Sequence, residues 1–67
     1  MLLENISALC KKNNITFAEL ERETGLGNGV IRRWGEMNPR VDRLKLVADY
    51  FGVGIDDLMK EGGENND

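Results

Sequence analysis

Three side chains suited to gripping a phosphate or a base edge lie close together in the middle of this chain: Asn28, Arg32 and Arg33. Arginine presents a planar fork of donors that pairs two-pronged with guanine in the major groove or with phosphate, and asparagine does the same with adenine. If residues 28–34 wind as a helix, a step of about 100° per residue puts Val30, Ile31 and Trp34 on one side. Asn28, Gly29, Arg32 and Arg33 then share the opposite side. Such a helix is anchored by three apolar residues and presents an amide, a bare backbone and two guanidiniums outward, which suits a DNA duplex. The same angles describe a solvated face that keeps a small domain dissolved. The residues alone leave both readings open.

The element before it is written plainly. Thr16 with Glu19 three residues on is a capping box, and Ile15 with Leu20 supplies the hydrophobic staple, so a helix starts at Phe17. It stops near Thr24, because Gly25 takes a left-handed backbone at little cost and closes a C-terminus. A helix of about eight residues is too short to stand alone and exists by packing on others. Residues 15–34 therefore read as two short helices joined by a glycine turn.

The 67 residues make one small domain, which buries roughly 60% of its unfolded surface and has no room for an elaborate active site. No apolar run reaches the length of a membrane span, and the start lacks a basic-then-apolar signal, so a cytoplasmic location is expected. The single cysteine, Cys10, has no internal partner and reads as a small buried apolar residue. With no histidine in the chain, neither a metal site nor histidine-based catalysis is expected. Gly25-Leu26-Gly27 lies between helices, not after a strand as a nucleotide loop requires, and reads as turn chemistry. The chain is read as no enzyme, with no cofactor.

Around the central pair, residues 2–12 predict a first helix with Leu2, Leu3, Ile6, Leu9 and Cys10 on one side. Lys11 and Lys12 in its last turn suit the helix dipole, with phosphate contact as the other use, and Asn13-Asn14 ends it. Asn38-Pro39 offers a cap and a first helical residue for a fourth helix, or that helix starts one or two residues later with Arg40 in the loop. Val41, Leu44, Val47, Ala48 and Phe51 then form a stripe facing the core. Leu46 and Tyr50 lie elsewhere on that helix, Tyr50 expected under the last helix and Leu46 open. Gly52-Val53-Gly54 breaks it, and Ile55, Leu58 and Met59 predict a fifth helix whose Asp56 and Asp57 suit its N-terminal dipole. Residues 1–60 are expected to form the domain. Residues 61–67 contain no apolar residue and are expected to be a disordered tail, native or left by a cut in a longer chain.

Several residues in order resemble one family: Ile6 and Leu9; Thr16, Glu19 and Leu20; Thr24-Gly25-Leu26; Ile31; Pro39; Leu44, Val47, Ala48 and Phe51; then Gly52-Val53, Ile55, Asp56 and Leu58. The chain resembles the lambda-repressor-like helix-turn-helix domains, the XRE or Cro-type family, over about residues 6–59. The resemblance implies an all-α, compact five-helix bundle with its helix-turn-helix unit at 16–34. It implies that the third helix, about 28–34, enters the major groove of double-stranded DNA, which puts Gly27, Asn28, Gly29, Arg32 and Arg33 at the bases. Arg40 and Arg43 at the start of the fourth helix become phosphate contacts, with Lys45 beside them. It further implies a transcriptional regulator, a phage-type repressor, acting as a homodimer on a palindromic operator.

This chain departs from the family pattern at several positions. Phe17 replaces a phosphate-holding glutamine. Glu21 replaces a small alanine, so either the helix crossing loosens or the carboxylate turns outward. Cys10 and Gly35 replace a buried arginine–glutamate pair, an exchange often neutral in energy, and Trp34 with Cys10 is expected to fill that space. The net charge of −3 argues against a polyanionic partner, yet residues 28–45 carry five basic and two acidic side chains, a local balance of plus three. Exposed charges beyond roughly 8 Å are screened, so the local cluster dominates its own neighbourhood. The rival class is a protein-binding module on the same scaffold, an anti-repressor or adaptor, using Met37, Leu46, Met59 and the acidic surfaces.

Overall fold

The helices of this chain begin and end where terminal amides and carbonyls find partners. In the computed structural model, which describes residues 1–60, they are α1 (Leu2–Lys12), α2 (Phe17–Thr24), α3 (Val30–Arg33), α4 (Val41–Phe51) and α5 (Ile55–Met59). There is no strand among the described residues, and the fold is all-helical as expected. The expected tail at 61–67 lies outside the described residues. No helix among the described residues is long and apolar enough to cross a membrane.

The capping box at α2 forms as its sequence dictates: Glu19 N donates to Thr16 Oγ1 at 3.1 Å, and Thr16 N donates to Glu19 Oε1 at 2.8 Å. Gly25 then turns left-handed at φ +81° and ends α2. Asn13 closes α1, where its side-chain amide donates to Leu9 O at 2.8 Å, and Asn14 carries the chain round at φ +59°. In α5, Asp57 accepts from Gly54 N at 3.0 Å and pairs with Lys60 at 3.4 Å, so this acidic residue caps the helix.

A core of Ile6 and Cys10 from α1, Leu20 from α2, Leu26 from the turn, Ile31 and Trp34, Leu44, Val47 and Ala48 from α4, and Leu58 from α5 joins all five helices. Ile6, Leu20, Ile31, Val47 and Leu58 are fully buried, each stabilising the fold by about 1.5–3 kcal/mol relative to exposure. Trp34 and Cys10 are both buried in this cluster, and at Gly35 it is Leu3 that takes the space, its Cδ1 lying 2.7 Å from where a Cβ would stand. Burial pushes the Cys10 thiol up from its ordinary value, which keeps it protonated and apolar at neutral pH.

Two residues of α4 differ from expectation. Val41 is 67% exposed, because it lies in the first turn, beyond the reach of the core that Leu44 begins. Tyr50 is 41% exposed, because α5 packs on α1 and on the Leu44–Ala48 side of α4 and leaves the Tyr50 ring standing against Phe51, centroids 5.2 Å apart. Helix α4 also starts at Val41 with Arg40 as its N-cap residue, the later of the two starts considered.

One tie went unseen in the sequence. Asn5 Nδ2 in α1 donates to Leu58 O and to Lys60 O, each at 2.7 Å, and so fastens the end of α5 to the beginning of the chain. Asn5→Ala is expected to lower unfolding stability by about 1–2 kcal/mol, with an unchanged denaturant slope, in a urea titration. Asp57 supplies a pH signature: its Gly54 hydrogen bond, and then Lys60, hold its carboxyl below the ordinary carboxylate value. The stability it contributes is present above that ordinary value and disappears as pH falls through the depressed one. Asp57→Asn is expected to flatten this part of the acid limb of stability against pH, and an unchanged limb would refute the assignment.

Candidate nucleic-acid interface

The turn between α2 and α3 is built on two left-handed glycines and one buried leucine. Gly25 stops α2, Leu26 drops into the core, and Gly29 at φ +78° sets the chain into α3. A left-handed backbone costs an ordinary L-residue about 1–2 kcal/mol, which is why glycine stands at both corners. Gly29 is the N-cap residue of α3 but has no side chain with which to accept from the helix amides.

Glu21 does that work from the neighbouring helix. Its carboxylate, 3% exposed, accepts from Gly29 N through Oε1 and from Ile31 N through Oε2, each at 3.0 Å. The side chain therefore turns inward, correcting the expectation of a looser crossing or an outward carboxylate. The physical reason is that amides at a helix N-terminus need an acceptor, and a negative charge there also suits the helix dipole. The signal was present in the sequence: a carboxylate on the inner side of a capped helix, followed by a helix start with glycine where a capping residue belongs.

The regular helix is shorter than the expected 28–34. Asn28 and Gly29 belong to the turn, α3 proper spans Val30–Arg33, and tighter bonds carry the chain on, with Trp34 N donating to Ile31 O at 3.0 Å and Gly35 N to Arg32 O at 3.2 Å. The left-handed Gly29 is what delays the start. The inward set survives this change: Ile31 and Trp34 are buried and Val30 is half-buried. Gly27, Asn28, Gly29, Arg32 and Arg33 are all exposed. Neither Arg32 nor Arg33 forms an ion pair among the described residues.

The two arginines face different surroundings. Arg32 lines a cleft of about 530 Å³ with Asn28 and Gly29, and with Lys11, Phe17, Cys10 and Glu21 from the first two helices. Arg33 lines a smaller cavity, about 230 Å³, with Arg40 and Arg43. Adjacent residues on a helix diverge by about 100°, so a pair in sequence becomes a fork in space. Lys45 is separated from both groups. It pairs with Asp49 at 3.3 Å and lies about 160° round α4 from Arg43.

Comparison with known proteins identifies a family for the chain. A family profile described as the Cro/C1-type HTH DNA-binding domain matches residues 5–60. The chain is 39% identical over 66 residues to the SPbeta prophage-derived uncharacterized HTH-type transcriptional regulator YopO of Bacillus subtilis (strain 168), covering 94% of each chain. It is 33% identical over 63 residues to an uncharacterized HTH-type transcriptional regulator of Coxiella burnetii (strain RSA 493 / Nine Mile phase I), covering 90% of this chain and 29% of that one. No solved structure matches.

The Glu21 tie makes a sharp prediction. Glu21→Ala leaves the Gly29 amide of the turn and the Ile31 amide of α3 without their acceptor and is expected to cost about 2–3 kcal/mol in chemical denaturation. Glu21→Gln is expected to recover less than half of that, since its amide nitrogen cannot accept. Faster hydrogen exchange at Gly29 and Ile31 in both variants checks the cause, and unchanged exchange there would refute it.

Proposed function

The chain belongs to the Cro/C1-type helix-turn-helix DNA-binding family, and from that membership we propose that it is a sequence-specific transcriptional regulator reading duplex DNA through residues 27–33. The observation that carries the reading is the Glu21-capped turn and helix, which leaves Asn28 and Arg32 exposed, with Arg32 in no ion pair among the described residues. In this reading Arg32 and Asn28 contact base edges in the major groove, while the bare backbone at Gly27 and Gly29 allows close approach. Arg40 and Arg43 grip phosphate, and Arg33, which shares their cavity, joins them at the edge of the base-reading set. Lys45, already neutralised by Asp49, contributes least.

The length of α3 supports action in pairs. Four helical residues advance about 6 Å, less than two base-pair steps of about 3.4 Å, so one copy reads little sequence. Two copies on the half-sites of a palindromic operator double that information. The output we propose is repression by occupancy of the operator, in the cytoplasm, in keeping with the prophage origin stated for the Bacillus relative. The exposure of Met37, Leu46 and Met59 favours a second reading, a protein-binding module on the same scaffold.

Selection of bound sites from a random duplex pool, followed by affinity measured against salt, separates the two readings. The regulator is expected to give paired half-sites and a log–log salt slope of about −0.9 for each phosphate neutralised. A protein-binding module would show no enriched site and no such slope. Arg32→Ala is expected to relax preference at one base position, whereas Arg43→Ala weakens every sequence alike and reduces the slope by about one. Parallel losses from both substitutions on cognate and random DNA would overturn the division of roles.

A further inference from the structure

We propose that the cavity between α3, the 34–40 loop and the first turn of α4 binds a small organic anion with an aromatic body, and that its occupancy releases DNA. Release rests on the regulator reading above, whereas binding of the anion does not.

Three arginines, Arg33, Arg40 and Arg43, line this one cavity of about 230 Å³. They are permanently charged, and none forms an ion pair among the described residues, whereas Lys45 and Lys60 each have a carboxylate partner. Three like charges around one concavity repel each other, and an anion placed between them removes that repulsion. The rest of the lining is Trp34, Val30, Pro39 and Met37, with Asn38 as a neutral polar member. Trp34 is 7% exposed and Met37, which lines the same cavity, is 57% exposed. A bare phosphate would satisfy the arginines and leave this wall wet. An aromatic ring carrying a phosphate or carboxylate covers Trp34 and Met37, stacks on a guanidinium, and brings its charge to the other two.

The volume sets the size of the ligand. Sites for drug-sized molecules run from about 300 to 1,000 Å³, so this one suits a single substituted ring. Because Arg33, Arg40 and Arg43 are the proposed phosphate grips, the same cations cannot serve a ligand and a duplex together. That mutual exclusion turns the cavity into an inducer site.

Phenyl phosphate is the probe, with inorganic phosphate and benzyl alcohol as the charge-only and ring-only controls, at constant ionic strength. The chain has a single tryptophan, so its indole N–H resonance reports on the cavity without ambiguity. Phenyl phosphate is expected to shift the Trp34 indole and Met37 methyl signals saturably, at least about tenfold more tightly than either control. Met37→Glu sets a carboxylate among the arginines at an exposed position and is expected to abolish the shift while the spectrum stays dispersed. Saturating phenyl phosphate is expected to weaken binding of a pool-selected duplex about fivefold or more. Equal affinity for inorganic phosphate, or no saturable shift at Trp34 whether or not the protein binds duplex, overturns the site. Simultaneous binding of ligand and duplex overturns the release. A saturable Trp34 shift in a protein that binds no duplex sustains the site and overturns the regulator reading instead.

Discussion

A single buried carboxylate governs the geometry on which everything else in this molecule depends. Helix α3 is one turn long and its N-cap residue is a glycine, so no side chain of its own caps it; Val30 N is held by Gly27 O at 3.2 Å. Glu21 reaches across from α2 and takes the amides on either side, Gly29 N and Ile31 N. A charge removed from water is stable only when its lone pairs are occupied, and here the amide donors it finds are those that a helix N-terminus leaves unsatisfied. Each side answers the other's deficit, and the angle between the two helices follows.

The rest of the domain holds that arrangement in place with few parts. Leu26 pins the turn, and Ile31 and Trp34 anchor the third helix in the core they share with Leu20 of α2 and Leu44, Val47 and Ala48 of α4. The first turn of α4 projects past this core. That is why Val41 and Arg40 are exposed while Leu44, one turn later, is buried. The same projection brings Arg40 and Arg43 up beside Arg33, so the basic cavity is a by-product of where the core ends.

Much of this was legible beforehand because it is local. Thr16 with Glu19, Gly25 after Thr24 and the Leu44–Val47–Ala48 stripe each state their structure within a few residues, and the helix bounds of α1, α2, α4 and α5 follow from such signals. Non-local facts were harder to read. Glu21 looked like an intruder at a small-residue position because its acceptors' partners lie eight and ten residues on, and Asn5 finds its carbonyls more than fifty residues away. The angular reading of residues 28–34 sorted the side chains into inner and outer sets, but it could not foresee that Gly29 leaves the helical register. Nor could it foresee that Arg32 and Arg33 part company toward separate hollows.

The tie made by Glu21 ends on main-chain nitrogen, not on any side chain of the turn or of α3. It is therefore blind to what those residues carry. Asn28, Arg32 and Arg33 can be exchanged for other polar residues with the scaffold unaware of the change, provided glycine stays at 29 and an apolar residue at 31. Selection acting on such a chain can rewrite this exposed surface one letter at a time, and a designer can do the same, without having to solve the folding problem again at each step.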